Sequence, residues 1–392
     1  RGLGDVYKRQ SDIWNAWYNG IYRCNDVLDH LEGREELPNY DKYRGEVLFM
    51  RSWWYFNLYR AFGGVPIAHK VVSPADAKTI RRCTDDEMYA LLTGDLAEAA
   101  RLLPASKGAE KARVTDIAAW TLLAKVYLTF GKPGEAKTAL EEAMKNPNYG
   151  LVNTTADAFN VKNKFNKEII FALYYNKAND TGHGYWYSTT KPEEAQLTQP
   201  APVFRALYDA RDNRLPLISE YTEDKKGTYL LNKWFDNRND ALKGNVVEND
   251  FPHLRYADVV LMYAEALAES GSSLGDALVW LNKTRTRAGL DALRTEDIPS
   301  KGAFIEALAD AAVQHGIARA DAYRMVSQMV VGTGKLQLAT GQHPGAMKDA
   351  VCSPGGTTIV GVAELERKGF RGAVIDAVDA IPVSYTHLRA HE

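Results

Sequence analysis

The chain has 392 residues, enough for two or three domains with buried cores. Hydrophobic residues make up 45% and charged residues 25%, which is the balance of a globular rather than a disordered protein. Lysine and arginine number 48 against 50 aspartates and glutamates, and this net charge of −2 argues against nucleic-acid binding.

The sequence also gives little indication of a disulfide-bonded, zinc-binding or membrane-spanning protein. Cys24, Cys83 and Cys352 are far apart and show no CxxC spacing, so neither a disulfide framework nor a zinc site is expected. No run of about 18 apolar residues occurs, so no segment is predicted to span a bilayer. No signal peptide is visible.

Three amphipathic helices are predicted in the first hundred residues. Apolar side chains recur every three or four positions over residues 11–31 and again over residues 40–62. Gly63 follows the second helix and predicts its C-terminal end. Thr84 and Glu87 have the spacing of a capping box, which predicts the start of the third helix.

Two later segments each predict a pair of short antiparallel helices. Over residues 118–147 and 257–281, small residues face large ones on either side of a glycine turn. Such a pair cannot bury its apolar face alone, so it must stack on neighbouring pairs. The pattern is typical of tetratricopeptide-like repeats.

Residues of about 150–250 interrupt this helical pattern. Residues 168–175 are strand-like, and glycine, asparagine, aspartate and proline punctuate the sequence that follows. The predicted fold class is therefore mainly α, with tetratricopeptide-like helical repeats and an irregular, partly β insertion. An insertion of this length is typically functional or disordered, and its many aromatic residues argue against disorder.

An aromatic run inside the insertion is the candidate sugar-binding site. The candidate residues are Asn179, Asp180, His183, Tyr185, Trp186 and Tyr187. The rings can stack on the CH face of a pyranose while the asparagine and aspartate bind its hydroxyl groups. The alternative is a short strand, with Trp186 packed inward and Tyr185 and Tyr187 covering an edge.

No catalytic or metal-binding constellation stands out. His253 lies in a Phe-Pro-His run just before a helix, where a packing or capping role is expected. No two carboxylates are singled out as the general acid and base that glycoside hydrolysis requires. Arg255 and Asp258 are close enough on one helix to pair with each other or with a neighbour, in a structural role.

Three stretches carry a family resemblance. They are GEVLFMR with FGGVP at residues 45–66, residues 81–96, and FPHLRYADVVLMYAEA with RTRAG at residues 251–289. In order and spacing they resemble the SusD/RagB family of nutrient-uptake proteins of the Bacteroidetes outer membrane, over residues 11–303. The family's lipoprotein signal is not seen, and its C-terminal helices do not follow residue 303.

This resemblance implies a non-enzymatic protein at the cell surface. It implies that the chain binds a glycan or another nutrient, needs no cofactor and serves a TonB-dependent outer-membrane transporter. The family's sugar contacts lie in variable loops without a motif, so none is assigned to a particular residue through the resemblance.

A second resemblance begins after residue 303. Residues 304–313, 343–358 and 369–371, including SPGGTT, are similar to the C-terminal dimerisation domain of pyrroline-5-carboxylate reductase. Residues 304–381 are therefore predicted to be a small α-helical fragment that dimerises. We interpret the junction as spurious, and residues 1–10 and 382–392, which fit neither family, as adapter-derived scars.

The reductase-like tail contains a candidate carboxylate site. Gly355 and Gly356 allow the backbone to approach a ligand, and free amides at the start of the following helix attract a carboxylate. The resemblance gives Gly355, Gly356, Thr357 and Thr358 this substrate-binding role, and simple N-capping is the alternative. No GxGxxG-type fingerprint occurs, so NAD(P)H is expected only with the missing N-terminal domain.

Three functions stay open from the sequence. The first is glycan capture at the cell surface. The second is a cytoplasmic reductase of proline biosynthesis, represented here only by its catalytically incomplete part. The third, a peptide-binding repeat adaptor of the cytosol, fits the helices but leaves the aromatic insertion unexplained.

Overall fold

Helices form most of the structure. The computed structural model describes residues 3–176 other than Ala109, residues 205, 208–220, 229–231 and 233, and residues 248–297. The helices are α1 Leu3–Leu31, α2 Tyr40–Phe62, α3 Pro74–Ala77, α4 Asp85–Leu102, α5 Asp116–Thr129, α6 Pro133–Met144, α7 Thr155–Phe159, α8 Tyr256–Glu269 and α9 Leu274–Arg287. This mainly α architecture confirms the predicted fold class.

Within the residues that the structure describes, two antiparallel pairs of strands accompany the helices. Strand β1, Ile169–Leu173, pairs with β4, Phe251–Arg255, so that Ile169 lies opposite Arg255 and Leu173 opposite Phe251. Between these ends the register shifts, which bends the ladder. Strands β2, Ile218–Glu220, and β3, Tyr229–Leu231, form the second pair.

The helix ends follow the predicted local chemistry. The Thr84 hydroxyl accepts from the Glu87 amide while the Glu87 carboxylate accepts from the Thr84 amide, which is the predicted capping box at the start of α4. Gly63 has a φ of 72° and donates its N–H to the Tyr59 carbonyl at 2.8 Å, which ends α2. Helix α1 begins at Leu3 rather than near residue 11.

The predicted helix pairs are present and stacked. Helix α5 packs against α6 and α8 against α9, with turns at Gly131 and Gly271, whose φ values are 68° and 88°. Helices α1, α2, α4, α5, α6, α8 and α9 then contact one another in that order. Ala118, Ala139 and Ala264 are at most 2% exposed, and their small side chains let the helix axes approach. One hydrophobic core therefore runs through the stack.

The described residues belong to one compact unit, and none of their helices could span a membrane. The chain divides into two units, Arg1–Ile317 and Ala318–Glu392, and all described residues belong to the first. None of the described helices has the length and apolar character needed to span a membrane. Cys24 and Cys83 are free thiols, and burial raises the pKa of Cys24 to about 11.

Candidate functional site

The predicted site residues lie outside the part of the chain that the structure describes. These are Asn179, Asp180, His183, Tyr185, Trp186 and Tyr187 of the insertion, and Gly355, Gly356, Thr357 and Thr358 of the tail. Their sugar-binding and carboxylate-binding roles stay predictions. The structure does describe the place where the insertion leaves the scaffold and returns to it.

We call residues 164–176 and 248–251 the insertion root. The chain leaves the root after Asn176 and returns to it at Glu248, just before β4. The Lys164 ammonium donates to the Asp250 carboxylate at 2.8 Å and to the Tyr175 carbonyl at 2.5 Å. The Tyr175 amide also donates to Asp250, at 3.2 Å. These bonds hold the two ends of the insertion side by side.

A stacked aromatic pair with one exposed ring lies on the insertion root. Phe165 has a φ of 57°, and its side chain is 40% exposed. Its ring stacks on that of Tyr174, with centroids 4.5 Å apart and planes inclined by 27°. A left-handed backbone costs a bulky residue about 1–2 kcal/mol, and such strain concentrates at binding sites.

A half-buried lysine supports this pair. The Lys107 ammonium donates to the Tyr174 hydroxyl at 2.8 Å and lies 5.4 Å from the centre of that ring. Burial lowers the pKa of Lys107 to about 8, and nearby Asp250 partly opposes that shift. Burial also raises the pKa of Tyr174, so its hydroxyl stays protonated at neutral pH and accepts from the lysine.

A buried ion cluster fastens the root to the helical repeats. The Glu168 carboxylate is fully buried and accepts from Arg255 at 2.6 Å and from Arg287 at 2.5 Å. It also accepts from the Val152 amide at 3.0 Å. Arg255 was expected to pair either with Asp258 or with a neighbouring residue. In the structure it pairs with the neighbouring Glu168, and Asp258 pairs with Lys125 instead.

His253 is half-buried and packs against aromatic rings beside the root, which is the first of the two roles, packing or capping, expected for it. Its ring lies 5.0 Å from that of Trp53 and stacks against Phe171 at 5.7 Å. Burial lowers the pKa of His253 to about 4, so the imidazole is neutral at physiological pH. Among the described residues, no group of three or more His, Cys, Asp or Glu side chains is placed to hold a metal ion.

Phe165 and its supporting residues were missed by sequence reasoning. The only local signal is a phenylalanine between asparagines and lysines in the run KNKFNK at residues 162–167, where no regular element needs an apolar side chain. Lys107 and Tyr174 lie 67 residues apart, so no local pattern could pair them.

Two SusD family models match separate parts of the chain before the tail. Residues 5–128 match a SusD-like family model described as starch-binding, associating with the outer membrane, and residues 213–315 match the SusD family model. These two matches show that the chain resembles the SusD family over residues 5–128 and 213–315. The predicted boundary at residue 11 stays a prediction, and the first match begins at residue 5.

Solved SusD-type structures share the fold. A SusD superfamily protein from Parabacteroides distasonis is 25% identical with a TM-score of 0.67, covering 77% of this chain and 71% of its own. Surface glycan-binding protein A from Bacteroides uniformis is 21% identical with a TM-score of 0.62, covering 76% and 71%. The second likeness, at this identity, concerns the fold alone.

The tail matches a different family. Residues 302–386 match the model for pyrroline-5-carboxylate reductase dimerisation. The Escherichia coli reductase is 63% identical over 75 residues, which are 19% of this chain and 28% of the enzyme. The chain thus spans little more than a quarter of the reductases it matches. The predicted junction at residue 304 lies where the SusD and reductase matches overlap, residues 302–315.

Proposed function

We propose that the chain captures glycans at the outer-membrane surface and passes them, chemically unchanged, to a TonB-dependent transporter. Its similarity to two SusD models, one of them described as starch-binding and associating with the outer membrane, supports this function. No cofactor takes part in it. The observation that carries the proposal is the stacked pair on the insertion root, in which the Phe165 ring is exposed.

The Phe165 ring is suited to a pyranose. It is accessible, it is supported on one side by Tyr174, and its backbone has the left-handed conformation that a bulky residue disfavours. In the chain, Tyr174 precedes residues 179–187 by five positions and Phe165 precedes them by fourteen. We infer that the predicted loop and this pair form one sugar-binding surface, in which stacking gives affinity and polar groups select hydroxyls.

The carboxylates of the root favour capture over hydrolysis. Glu168 is held by two arginines, and Asp250 is held by Lys164. A glycosidase needs two carboxyl groups that face one substrate, one of them protonated. Neither Glu168 nor Asp250 is free to act as that acid.

Isothermal titration of the full chain against malto-, cello- and xylo-oligosaccharides tests the proposal. We expect heat with at least one glycan and a loss of affinity of about tenfold in Phe165→Gly. Stacking of a nucleic-acid base on an aromatic side chain contributes about 1–3 kcal/mol, and a loss near the lower end of that range, about 1.4 kcal/mol, is tenfold in affinity. Glycine removes the ring and also relieves the positive φ, so the variant keeps the fold.

Tyr43→Ala is the matched control for that titration. Tyr43 is 40% exposed, as Phe165 is, but it lies on α2. We expect its glycan affinity to equal that of the unchanged chain. Equal losses in the two variants, or no heat with any glycan from a chain with a helical circular dichroism spectrum, would count against capture at the root.

The reductase match supports a second function for the tail. We propose that residues 304–381 dimerise and that Gly355 to Thr358 bind a carboxylate substrate, with turnover only when a nicotinamide-binding domain is added. Light scattering of the full chain tests the dimer. A monomer at high concentration, or unaided reduction of pyrroline-5-carboxylate by this chain, would contradict that proposal.

A further inference from the structure

A polar cleft opens between α1, α2 and α4. Its volume is about 580 Å³, within the range that small-molecule sites occupy. Leu28, Leu48 and Leu102 give it apolar patches, and the half-buried ring of Tyr40 lines it as well. None of its lining residues belongs to the insertion root. We call it the α1–α4 cleft.

Most charges in the α1–α4 cleft neutralise one another. The closed pairs are Arg51–Asp95, Arg44–Glu98 and Lys70–Glu32, with N–O distances of 2.7, 2.6 and 3.0 Å. The first pair is nine-tenths buried and is bidentate, because a second bond of 2.8 Å joins the same groups. The inner part of the cleft is thus fixed in place before any ligand arrives.

Four charged groups of the cleft remain without a salt bridge within the described part of the chain: Asp29, Glu35, Asp41 and Arg101. Within the described part of the chain, the Asp29 carboxylate accepts one hydrogen bond, from the Val71 amide at 3.1 Å. Three carboxylates against one guanidinium leave the open groups with a charge of −2. A concave, low-dielectric wall concentrates this negative potential in the cleft.

We propose that the α1–α4 cleft binds a small hydrophilic ligand that carries an ammonium group, of about tripeptide or trisaccharide size. The unpaired carboxylates attract the ammonium group, while Tyr40 and the leucines accept the aliphatic or CH surface next to it. A basic peptide and an amino sugar share this chemistry. The site is separate from the proposed glycan surface, so either can fail without the other.

Calorimetric titration of the full chain at low ionic strength tests the cleft. The probes are trilysine and the glucosamine trimer, each compared with its N-acetylated form, which lacks the ammonium charge. We expect at least one cationic probe to bind and its acetylated form not to bind. Glu35→Gln combined with Asp41→Asn should weaken that binding by about tenfold, because two attractive charges are removed.

The matched control is Glu36→Gln combined with Asp86→Asn. Both residues are exposed and lie outside the cleft, and Asp86 occupies the first turn of α4 as Asp41 does that of α2. This variant should bind the cationic probe within about twofold of the unchanged chain. The proposal is overturned if neither cationic probe binds, if acetylated probes bind equally well, or if the control loses as much affinity as the cleft variant.

Discussion

Replacing Glu168 by glutamine tests how the insertion root is held to the helical repeats. The carboxylate is fully buried and is the shared partner of Arg255 and Arg287, at 2.6 and 2.5 Å. Glutamine keeps the size but removes the charge, and its amide NH₂ group faces a guanidinium donor. Breaking a buried ion pair from one side costs about 3–5 kcal/mol, because it leaves the partner charge buried and uncompensated.

A loss of that size is a large fraction of the roughly 5–15 kcal/mol that stabilises a folded domain. Urea unfolding of the full chain, followed by far-ultraviolet circular dichroism, measures it. Glu142→Gln is the control, because the exposed Glu142–Lys145 pair should contribute less than about 1 kcal/mol. If Glu168→Gln costs less than about 1 kcal/mol, the cluster does not hold the root as described.

Two further predictions concern charge and packing. Since burial lowers the pKa of Lys107 to about 8, against 10.5 when unfolded, the unfolded chain binds more protons between these values. The free energy of unfolding should therefore rise with pH across that window, and it should rise by less in Lys107→Met. Urea unfolding of both chains at pH 7.5 and 9.5 measures this difference. An equal pH dependence in the two chains would refute the prediction. An added Cβ at Gly64 would press on the Cys83 carbonyl oxygen, whereas Gly94 in α4 has open space around it. Gly64→Ala should lower the free energy of unfolding by about 1–3 kcal/mol, and Gly94→Ala should raise it by about 0.5–1 kcal/mol, as measured by thermal unfolding. A loss of stability at both positions would contradict this prediction.

The sequence predicted most of the helical scaffold. The three- and four-residue spacing of apolar side chains identified α2 and the pairs α5–α6 and α8–α9. Local chemistry located their ends, as at Thr84 and Gly63. These features depend on neighbours in the sequence, which is why they could be predicted.

Features that depend on distant contacts could not be predicted. Strand β4 was missed because Pro252 interrupts its pattern and a helix begins at Tyr256, so that only pairing with β1 reveals it. Glu168 and Arg287 are 119 residues apart in the chain. The exposed ring of Phe165 likewise depends on a backbone conformation that the residue type disfavours.

Capture without turnover is most directly tested by equilibrium dialysis of the full chain against its best glycan, with the recovered sugar analysed by chromatography. We expect the glycan to accumulate with the protein, to be recovered at full length, and to accumulate less with Phe165→Gly. No accumulation with a correctly folded chain, or recovery of shortened products, would contradict the account.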